Sequence, residues 1–378
     1  MPPATSCLVP QARRLCRCLA ILLLAAGLGA CSSSGKYYDP NKPNRTETGF
    51  RNNYAQPERG SFWKWQWERL TQGLPRPPEN NYRFPVVKPD LAWLKANHDT
   101  PSVTWIGHAT ALLQLGGKNV LTDPMFSQRA SPFSFIGPAR KVPLPMQISE
   151  LPHIDVVVIS HNHYDHLDRA SVEQLNLQAG GPPLFLVPLG VRDWFLALGI
   201  TNVKEMDWWD KTVLDNLDIY FVPAVHWSAR GIFDRSETLW GGWVMQTAAQ
   251  APARKAGATA PASSEPFSVY FAGDTGYSKD FRDIGERFGR FDLALIPIGA
   301  YAPRWFMQNQ HVDPAQAVLI HEDVRAKRSV AIHWGTFELA DEALDEPPRE
   351  LAKALREAGL PQEQFVTLKH GQTLKLDE

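Results

Sequence analysis

The chain has 378 residues, 44% of them hydrophobic, so it can bury a large core without disulfide staples. Its 39 lysines and arginines nearly balance its 40 aspartates and glutamates, and no overall field attracts nucleic acid or anionic lipid. A nucleic-acid partner is therefore not expected.

The first thirty residues have the pattern of a bacterial lipoprotein signal peptide. Three arginines precede an apolar run over 19–28 that is too short to span a bilayer comfortably, and small residues lead to Cys31. We expect cleavage of residues 1–30 and a lipid on the Cys31 thiol, which would anchor the protein to a membrane. Ser32 favours the outer membrane, on its periplasmic face. An ordinary secretory signal that ends in a cysteine is the alternative.

The remaining chain is predicted to form a short tether followed by one domain. No cysteine follows position 31, so a metal site has to be built from histidines and carboxylates. Residues 31–59 are polar and rich in Asn, Ser, Gly and Pro, which predicts a flexible tether. Residues 60–378 would form the folded domain, with a flexible Ala- and Pro-rich insertion between two strands at about 248–266.

Short apolar runs alternate with helical patterns throughout the domain, which indicates the α/β class. We predict core strands at 103–106, 111–115, 120–122, 156–160, 184–187, 219–222, 269–271, 293–296 and 330–332. We predict helices at 168–178, 278–288, 313–324 and 347–357. The third helix should begin with Asp313 as its N-cap and Pro314 at its first position.

A dense group of candidate metal ligands follows the predicted strand at 156–160. It contains His161, His163, Asp165 and His166. Neutral imidazole and carboxylate suit Zn²⁺, and the spacing lets the first pair face one ion while the second pair faces another. A solvated polar loop is the alternative interpretation, but such a loop has no need of so many imidazoles.

Three more candidate ligands stand where other predicted core strands end. His226 follows the strand at 219–222, Asp274 lies in a Gly-Asp-Thr-Gly turn after the strand at 269–271, and His333 follows the last core strand. Alone, each would more often be a hydrogen-bonding or capping residue. Together with the cluster, they predict the remainder of a dinuclear site.

Long sequence strings resemble those of the N-acylphosphatidylethanolamine-hydrolysing phospholipase D family of the metallo-β-lactamase superfamily. The H-x-H-x-D-H cluster, a lone His, the Asp of the Gly-Asp-Thr-Gly turn and a late His follow the superfamily's ligand order. The strings are TWIGHAT, LTDPMFSQRASP, VISHNHYDHLD, FAGDTGY, IPIGAYAPRWFM, QHVDPAQAV and AIHWGTFELA, spread over about 103–371. The resemblance implies an αβ/βα four-layer sandwich and an enzyme with two Zn²⁺ ions.

Carried over by position, the resemblance also implies how these ligands are shared. One zinc would be held by His161, His163 and His226, and the other by Asp165 and His166. Asp274 would bridge the ions, and His333 would complete the ligands of the second ion and could also contribute to the first. The implied reaction is hydrolysis of N-acylphosphatidylethanolamine, or a related membrane phospholipid, to phosphatidic acid and N-acylethanolamine.

Several further residues receive site roles. His311 precedes a predicted helix, where its imidazole could address a phosphate, and the resemblance also puts it at the substrate. Tyr164 could touch the scissile group or pack beneath the loop. We expect Asp123 and His108 to be turn residues or to orient the ligands, and we expect His321 to be structural.

The aromatic segment that contains Phe62, Trp63, Trp65 and Trp67 permits two interpretations. It could line an acyl groove or dip into a membrane interface, or it could simply pack on the domain. Two other functions also stay open: a sugar-phosphate lactonase or other small-ester hydrolase, and a metal-binding lipoprotein without turnover.

Overall fold

The computed structural model describes residues 35–58, 60–75, 77–79, 81–248 and 266–376. The strands are β1 (Arg45–Thr46), β2 (Gly49–Phe50), β3 (Ser102–Gly107), β4 (Thr110–Leu115), β5 (Lys118–Thr122), β6 (Val156–Val158), β7 (Leu184–Pro188), β8 (Val203–Met206), β9 (Lys211–Leu214), β10 (Leu217–Val222), β11 (Gly242–Thr247), β12 (Ser268–Phe271), β13 (Leu293–Pro297), β14 (Ser329–Ile332), β15 (Phe365–Val366) and β16 (Thr373–Lys375). The helices are α1 (Phe62–Gln72), α2 (Leu91–Ala96), α3 (Arg169–Asn176), α4 (Arg192–Ala197), α5 (Asp280–Phe288), α6 (Arg304–Met307), α7 (Pro314–Asp323) and α8 (Pro347–Glu357).

Two mixed seven-stranded sheets form the centre of the fold. Their strand orders are β16-β3-β4-β5-β6-β7-β8 and β15-β14-β13-β12-β11-β10-β9. In the first sheet, β5 to β8 run parallel, and β3 points the same way because two antiparallel pairings separate it from β5. In the second, β12 to β15 are parallel and β10 shares their direction. Within each sheet, the carboxyl ends of these strands therefore meet at one edge.

The sheets pack face to face, with helices on their outer faces. Trp105 of the first sheet and Trp243 and Phe271 of the second are fully buried in one shared core cluster. A second cluster joins the outer face of the first sheet to α2, α3 and α4, while α5, α7 and α8 cover the second sheet. This arrangement of two mixed sheets plus helices confirms the α/β prediction.

The predicted core elements are confirmed, and the missed ones lie at the periphery. All nine predicted strands and four predicted helices are present, and α7 begins as expected, with the Asp313 side chain accepting from the Gln316 amide at 2.8 Å. The edge strands β8, β9, β15 and β16 were not predicted. An edge strand is short and only partly buried, so its sequence lacks a continuous apolar run.

The prediction of a flexible tether at 31–59 is wrong for its described part. Phe50 is buried in the main core cluster beneath the guanidinium of Arg45, which also pairs with Asp207 at 2.5 Å. Tyr37 donates to Glu205, on β8. The polar composition of this segment suggested disorder, but its side chains make specific bonds to the domain instead.

Other sequence predictions fall on residues outside the described ranges. These are the signal peptide, Cys31 and most of the insertion at 248–266. The insertion does connect two strands, because β11 and β12 pair antiparallel on either side of it. Among the described residues, no helix is long and apolar enough to cross a membrane.

Candidate metal centre

The carboxyl ends of strands from both sheets converge on one buried site. Asp123 follows β5 and the ligand loop at 161–166 follows β6, whereas His226, Asp274 and His333 follow β10, β12 and β14. Parallel strands bring their carboxyl ends to the same sheet edge, which explains how residues so distant in sequence meet.

The two sheets approach each other closely beside this site. The Trp243 indole donates to the Ile159 carbonyl at 3.0 Å, and the Gly241 amide donates to the Ser160 carbonyl at 3.0 Å. Gly273 has a φ of +63°, and a Cβ at this position would lie 2.6 Å from the Ser160 Cβ. Only glycine fits such a left-handed, crowded position, so the turn that presents Asp274 depends on it.

Three imidazole nitrogens from His161, His163 and His226 form the first half of the site. His163 Nδ1 lies 2.8 Å from His161 Nε2 and 3.2 Å from His226 Nε2. These separations are close to the roughly 3.3 Å expected between nitrogens that share a tetrahedral zinc ion. His161 and His226 are buried, and His163 is half-buried.

The tautomers of these histidines follow from their other contacts. The Gln310 carbonyl can only accept, so His226 Nδ1 donates to it at 2.9 Å and leaves the Nε2 lone pair facing the cluster. The Ser160 hydroxyl donates to Asp123 at 2.6 Å and thus accepts from His161 Nδ1 at 2.9 Å. Converging lone pairs repel one another unless a cation lies between them, and these nitrogens therefore fit a metal.

The second half of the site combines imidazoles with two carboxylates. Asp165 Oδ2 lies 2.9 Å from His108 Nε2, 3.3 Å from His166 Nε2 and 3.4 Å from His333 Nε2. Asp274 is central, with Oδ2 at 3.1 Å from His166 Nε2 and Oδ1 at 3.1 Å from His333 Nε2. Asp274 Oδ2 also lies 4.0 Å from His226 Nε2 of the first half, so this carboxylate is well placed to bridge two ions.

Burial and charge shift the pKa values of different histidines of the site in opposite directions. Burial lowers the pKa of His163 to about 4 and that of His226 to about 3, which keeps both imidazoles neutral. Burial also opposes protonation of His333, but the charge of Asp274 and the hydrogen bonds to Asp165 and Asp274 together outweigh it and raise the pKa to about 9. The buried carboxylates thus require nearby positive charge, which divalent cations would supply.

Several buried polar atoms at the site have no hydrogen-bond partner in the described part of the chain. They include His166 Nε2, both ring nitrogens of His333 and Asp274 Oδ1. Unpaired buried polar atoms are rare because each costs about 1–3 kcal/mol. Together with four overlapping groups of His and Asp ligand atoms within 4.8 Å of one another, they fit resident metal ions.

Asp123 and His108 support the ligands, as predicted. His166 Nδ1 lies 2.7 Å from Asp123 Oδ2, and the Ser160 amide donates to Asp123 Oδ1 at 2.7 Å. Such a carboxylate–imidazole pair fixes the ring so that its other nitrogen faces the metal. His108 contacts Asp165 in the same supporting way. Asp123, His108 and His333 all have positive φ values, and left-handed backbone at non-glycine residues is typical of functional sites.

His311 and Tyr164 occupy different positions relative to the cluster. His311 Nδ1 lies 3.8 Å from Asp274 Oδ2 without a hydrogen-bond partner, so its side chain belongs to the cluster. The Tyr164 hydroxyl donates to the Arg230 carbonyl at 2.9 Å, and its ring lies 4.0 Å beneath the Arg230 guanidinium. His321 is remote and bonds Ser329, as expected of a structural residue.

A cavity of about 330 Å³ opens directly above the cluster. His163, Asp165, His226, Asp274, Tyr164 and His311 form its polar floor, and apolar side chains form its walls: Phe62, Trp65, Trp227, Phe306, Met307 and Leu339. Trp65 of α1 stacks on Phe306 at 4.7 Å. The predicted aromatic segment thus packs on the domain and lines the cavity at the same time.

Sequence reasoning missed three supporting residues. Arg230 Nη1 donates to the carbonyls of Asn162 and Leu167, both at 2.8 Å, and so ties the two ends of the ligand loop together. Asn52 accepts from the His226 amide at 3.1 Å, and Gln310 accepts from the His226 ring. All three act through backbone groups or on partners far away in sequence, and no local motif marks them.

Comparison with known proteins agrees with this geometry. Residues 118–334 match the family described as the beta-lactamase superfamily domain. The chain is 39% identical to N-acyl-phosphatidylethanolamine-hydrolyzing phospholipase D 1 of Caenorhabditis elegans over 283 residues, which cover 71% of this chain and 74% of the relative. It is 36% identical over 254 residues to the mitochondrial enzyme of that type in Saccharomyces cerevisiae, covering 66% of this chain and 50% of the relative.

A solved structure shares the fold at low sequence identity. Igni18, a metallo hydrolase from Ignicoccus hospitalis, aligns with a TM-score of 0.54 and 22% identity over 74% of this chain and all of its own. The family match over 118–334 and the 39% identical relative show that the chain belongs to the metallo-β-lactamase superfamily, as a metal-dependent hydrolase in the group that includes the N-acylphosphatidylethanolamine-hydrolysing phospholipases D.

Proposed function

We propose that the protein is a dinuclear zinc phosphodiesterase of the phospholipase D type, acting on N-acylphosphatidylethanolamine or a closely related membrane phospholipid. The observation that carries the proposal is the position of the His and Asp cluster at the floor of a cavity with apolar walls. Such a cavity suits a substrate with a phosphodiester and acyl chains, and the names of the two relatives point to the same lipid.

The proposed metal sites follow the two halves of the cluster. His161, His163 and His226 would hold one ion, Asp165, His166 and His333 the other, and Asp274 would bridge them. Two Zn²⁺ ions bound there would supply the Lewis acidity that phosphodiester hydrolysis requires. Histidine and carboxylate ligands without thiolate also accept other divalent metals, so zinc itself is part of the proposal.

The side chains around the cluster have defined tasks in this proposal. His311, unpaired and facing the cavity, donates a hydrogen bond to a phosphate oxygen. Asp123 and Arg230 keep the ligand loop in place, and the aromatic walls exclude water from the acyl chains. The overall reaction consumes one water: its oxygen joins phosphorus, the bond between phosphorus and the ethanolamine oxygen breaks, and the alcohol leaves with a proton.

The test offers purified, zinc-loaded protein micellar N-acylphosphatidylethanolamine beside sugar-phosphate lactones and β-lactams. We expect phosphatidic acid and N-acylethanolamine by mass spectrometry, and about two zinc ions per chain by elemental analysis. Turnover of a lactone or lactam without the phospholipid would contradict the lipid substrate but not the metal centre. Absence of any transition metal would contradict the metal centre itself.

The proposal also includes the location of the enzyme. The signal sequence supports a lipid on Cys31 and a place at the bacterial outer membrane, facing the periplasm. The measurement is mass spectrometry of the N-terminal peptide from membrane-extracted protein. An unmodified Cys31, or equal membrane attachment of a Cys31→Ser protein, would contradict this part of the proposal.

A further inference from the structure

Large apolar side chains project into solvent from three separate segments beside the site. Ile232 and Phe233 are 89% and 90% exposed at the tip of one loop. A second loop exposes Phe133, Phe135 and Ile136, and α1 exposes Trp63, Trp67 and Leu70. Single exposed apolar residues are ordinary, but groups of them around one opening mark an interaction surface.

The three segments border two neighbouring cavities. Phe62 and Trp65 of α1 and Ala130 line the metal cavity. The second cavity, of about 480 Å³, is lined by Phe133 and by Arg230, which lies two residues before Ile232. Tyr164 lines both cavities and thus stands between them. The exposed apolar side chains therefore surround the approach to the metal centre.

Helix α1 has one apolar face packed and another apolar face exposed. Trp65 faces inwards, stacking on Phe306 and donating its indole N–H to Asp341 at 2.6 Å. Positions 63, 67 and 70 follow helical i, i+4, i+7 spacing and form a stripe that is not covered in the described part of the chain. A helix with a stripe of this kind binds an apolar phase or a partner.

The packed N-terminal segment limits how far the domain can stand from a lipid anchor. Lys36 pairs with Asp193, beside Trp194 of the second cavity. Gly35 and Glu237 line one small depression, and Glu237 lies four residues after Phe233 in the chain. Only three residues lie between Cys31 and Gly35, so the backbone of Cys31 would lie within about 14 Å of this point.

We propose that these three apolar segments form a bilayer-docking surface that holds the metal cavity open towards the lipid. The inference rests on the lipid substrate and anchor proposed above. The short connection from Cys31 reaches the same side of the domain as the loop at 231–233, which favours a bilayer over a second copy of the chain. Aromatic and branched apolar tips bury themselves readily in the interfacial region of a membrane.

The test measures binding to sedimented vesicles of phosphatidylethanolamine and phosphatidylglycerol. It uses the chain expressed from residue 31 without lipid, since every described contact lies within residues 35–376. We expect Ile232→Ser with Phe233→Ser to weaken vesicle binding by roughly tenfold or more, because two nearly fully exposed apolar groups lose their membrane contact. Phe135→Ser with Ile136→Ser should have a similar effect.

Leu177→Ser is the matched control. Leu177 is 82% exposed, but its neighbour Gln178 bonds the backbone of Ile154, which precedes β6, whereas the metal ligands follow the other end of that strand. Vesicle binding by this variant should be unchanged. Zinc content and hydrolysis of a soluble phosphodiester should be unchanged in all variants, which separates docking from the metal centre.

The outcomes distinguish this inference from the proposed function. Equal vesicle binding by all variants, or none by the unsubstituted chain, would overturn the docking surface. A dimer that dissociates on Ile232→Ser substitution, without a change in vesicle binding, would assign the surface to a second copy and overturn it too. Weakened vesicle binding by a protein that never hydrolyses N-acylphosphatidylethanolamine would support docking and contradict the proposed substrate.

Discussion

The protein contains two kinds of buried histidine, and their surroundings differ. His321 Nδ1 lies 2.8 Å from the Ser329 hydroxyl, and His370 Nε2 lies 3.2 Å from the Thr336 hydroxyl. Within the described residues, neither forms an ion pair with a carboxylate. The histidines of the cluster are buried or half-buried but face Asp165 and Asp274, and several of their nitrogens lack a hydrogen-bond partner among the described residues.

This difference identifies what makes a histidine a metal ligand. Burial lowers the pKa of histidines of both kinds, for example to about 3 for His226 and for His370, and keeps those two rings neutral, whereas the pKa of His333 is raised. Neutrality alone is therefore not diagnostic. The cluster adds converging lone pairs and two buried carboxylates, which remain uncompensated without a cation. Substitutions in the two sets should accordingly have different consequences.

The largest loss of zinc binding and hydrolysis is expected from Asp274→Ala. Asp274 faces His226 of the first half and His166 and His333 of the second, so its removal should abolish binding of at least one ion and nearly all hydrolysis. The measurements are zinc content and phosphodiester turnover. Asp313→Asn, at the N-cap of α7, is the control and should keep both. Normal turnover with both ions in Asp274→Ala would remove the bridging assignment.

A smaller loss of zinc affinity and activity is expected from Asp123→Asn. Asp123 does not face the metal but holds His166 and Ser160, and loss of such a supporting carboxylate typically reduces metal affinity or activity by about 10–100-fold. Chelator competition measures the affinity. Asp155→Asn is a matched control, because Asp155 bonds the Asn119 amide at the opposite end of β5. Equal zinc affinities in the two variants would show that Asp123 has no orienting role.

The ligands could be predicted from sequence because each follows an apolar run. His333 directly follows β14, and His226 lies four residues after the end of β10. Both strands are marked by apolar runs in the sequence, and the sheet topology brings the two histidines together. Arg230 could not be predicted, since it acts on the carbonyls of Asn162 and Leu167, more than sixty residues earlier in the chain. Backbone carbonyls have no sequence signature, and a basic residue in a loop is ordinarily solvated.

The packed N-terminal segment was missed for a related reason. Residues 35–58 are polar, which predicts disorder when hydrophobic burial is the only source of stability considered. Their order comes instead from bonds such as those of Tyr37 to Glu205 and of Asn52 to the His226 amide. These partners belong to distant elements, so the pairing exists only once both sheets have formed.

Substitution of Arg230 should cause an intermediate loss of zinc affinity. Arg230→Lys should lower zinc affinity by roughly tenfold, because one ammonium cannot bond both carbonyls and also stack on Tyr164. Far-ultraviolet circular dichroism should be unchanged. Arg282→Lys, an exposed partner of Asp323, is the control and should bind zinc normally. If Arg230→Lys also retains normal zinc affinity, the loop is held by its ligands alone.

His370→Gln should leave metal binding unchanged. It should instead alter the pH dependence of the free energy of unfolding. The pKa of His370 is lowered to about 3, chiefly by burial and further by Arg140, whereas an unfolded histidine titrates near 6.5. Between these values the unfolded chain binds one more proton than the folded chain. The contribution of His370 to stability is therefore largest above pH 6.5 and declines as the pH falls towards 3.

This decline can reach about 1.4 kcal/mol per pH unit in the free energy of unfolding. Urea unfolding of the metal-free protein at several pH values measures it, and metal removal eliminates acid release of zinc as a second cause. The cluster histidines are unchanged in His370→Gln, so subtraction of the variant's curve from that of the unsubstituted protein isolates His370. Parallel curves would mean that His370 has the same pKa in the folded and unfolded states. Altered zinc binding would mean that it is coupled to the cluster.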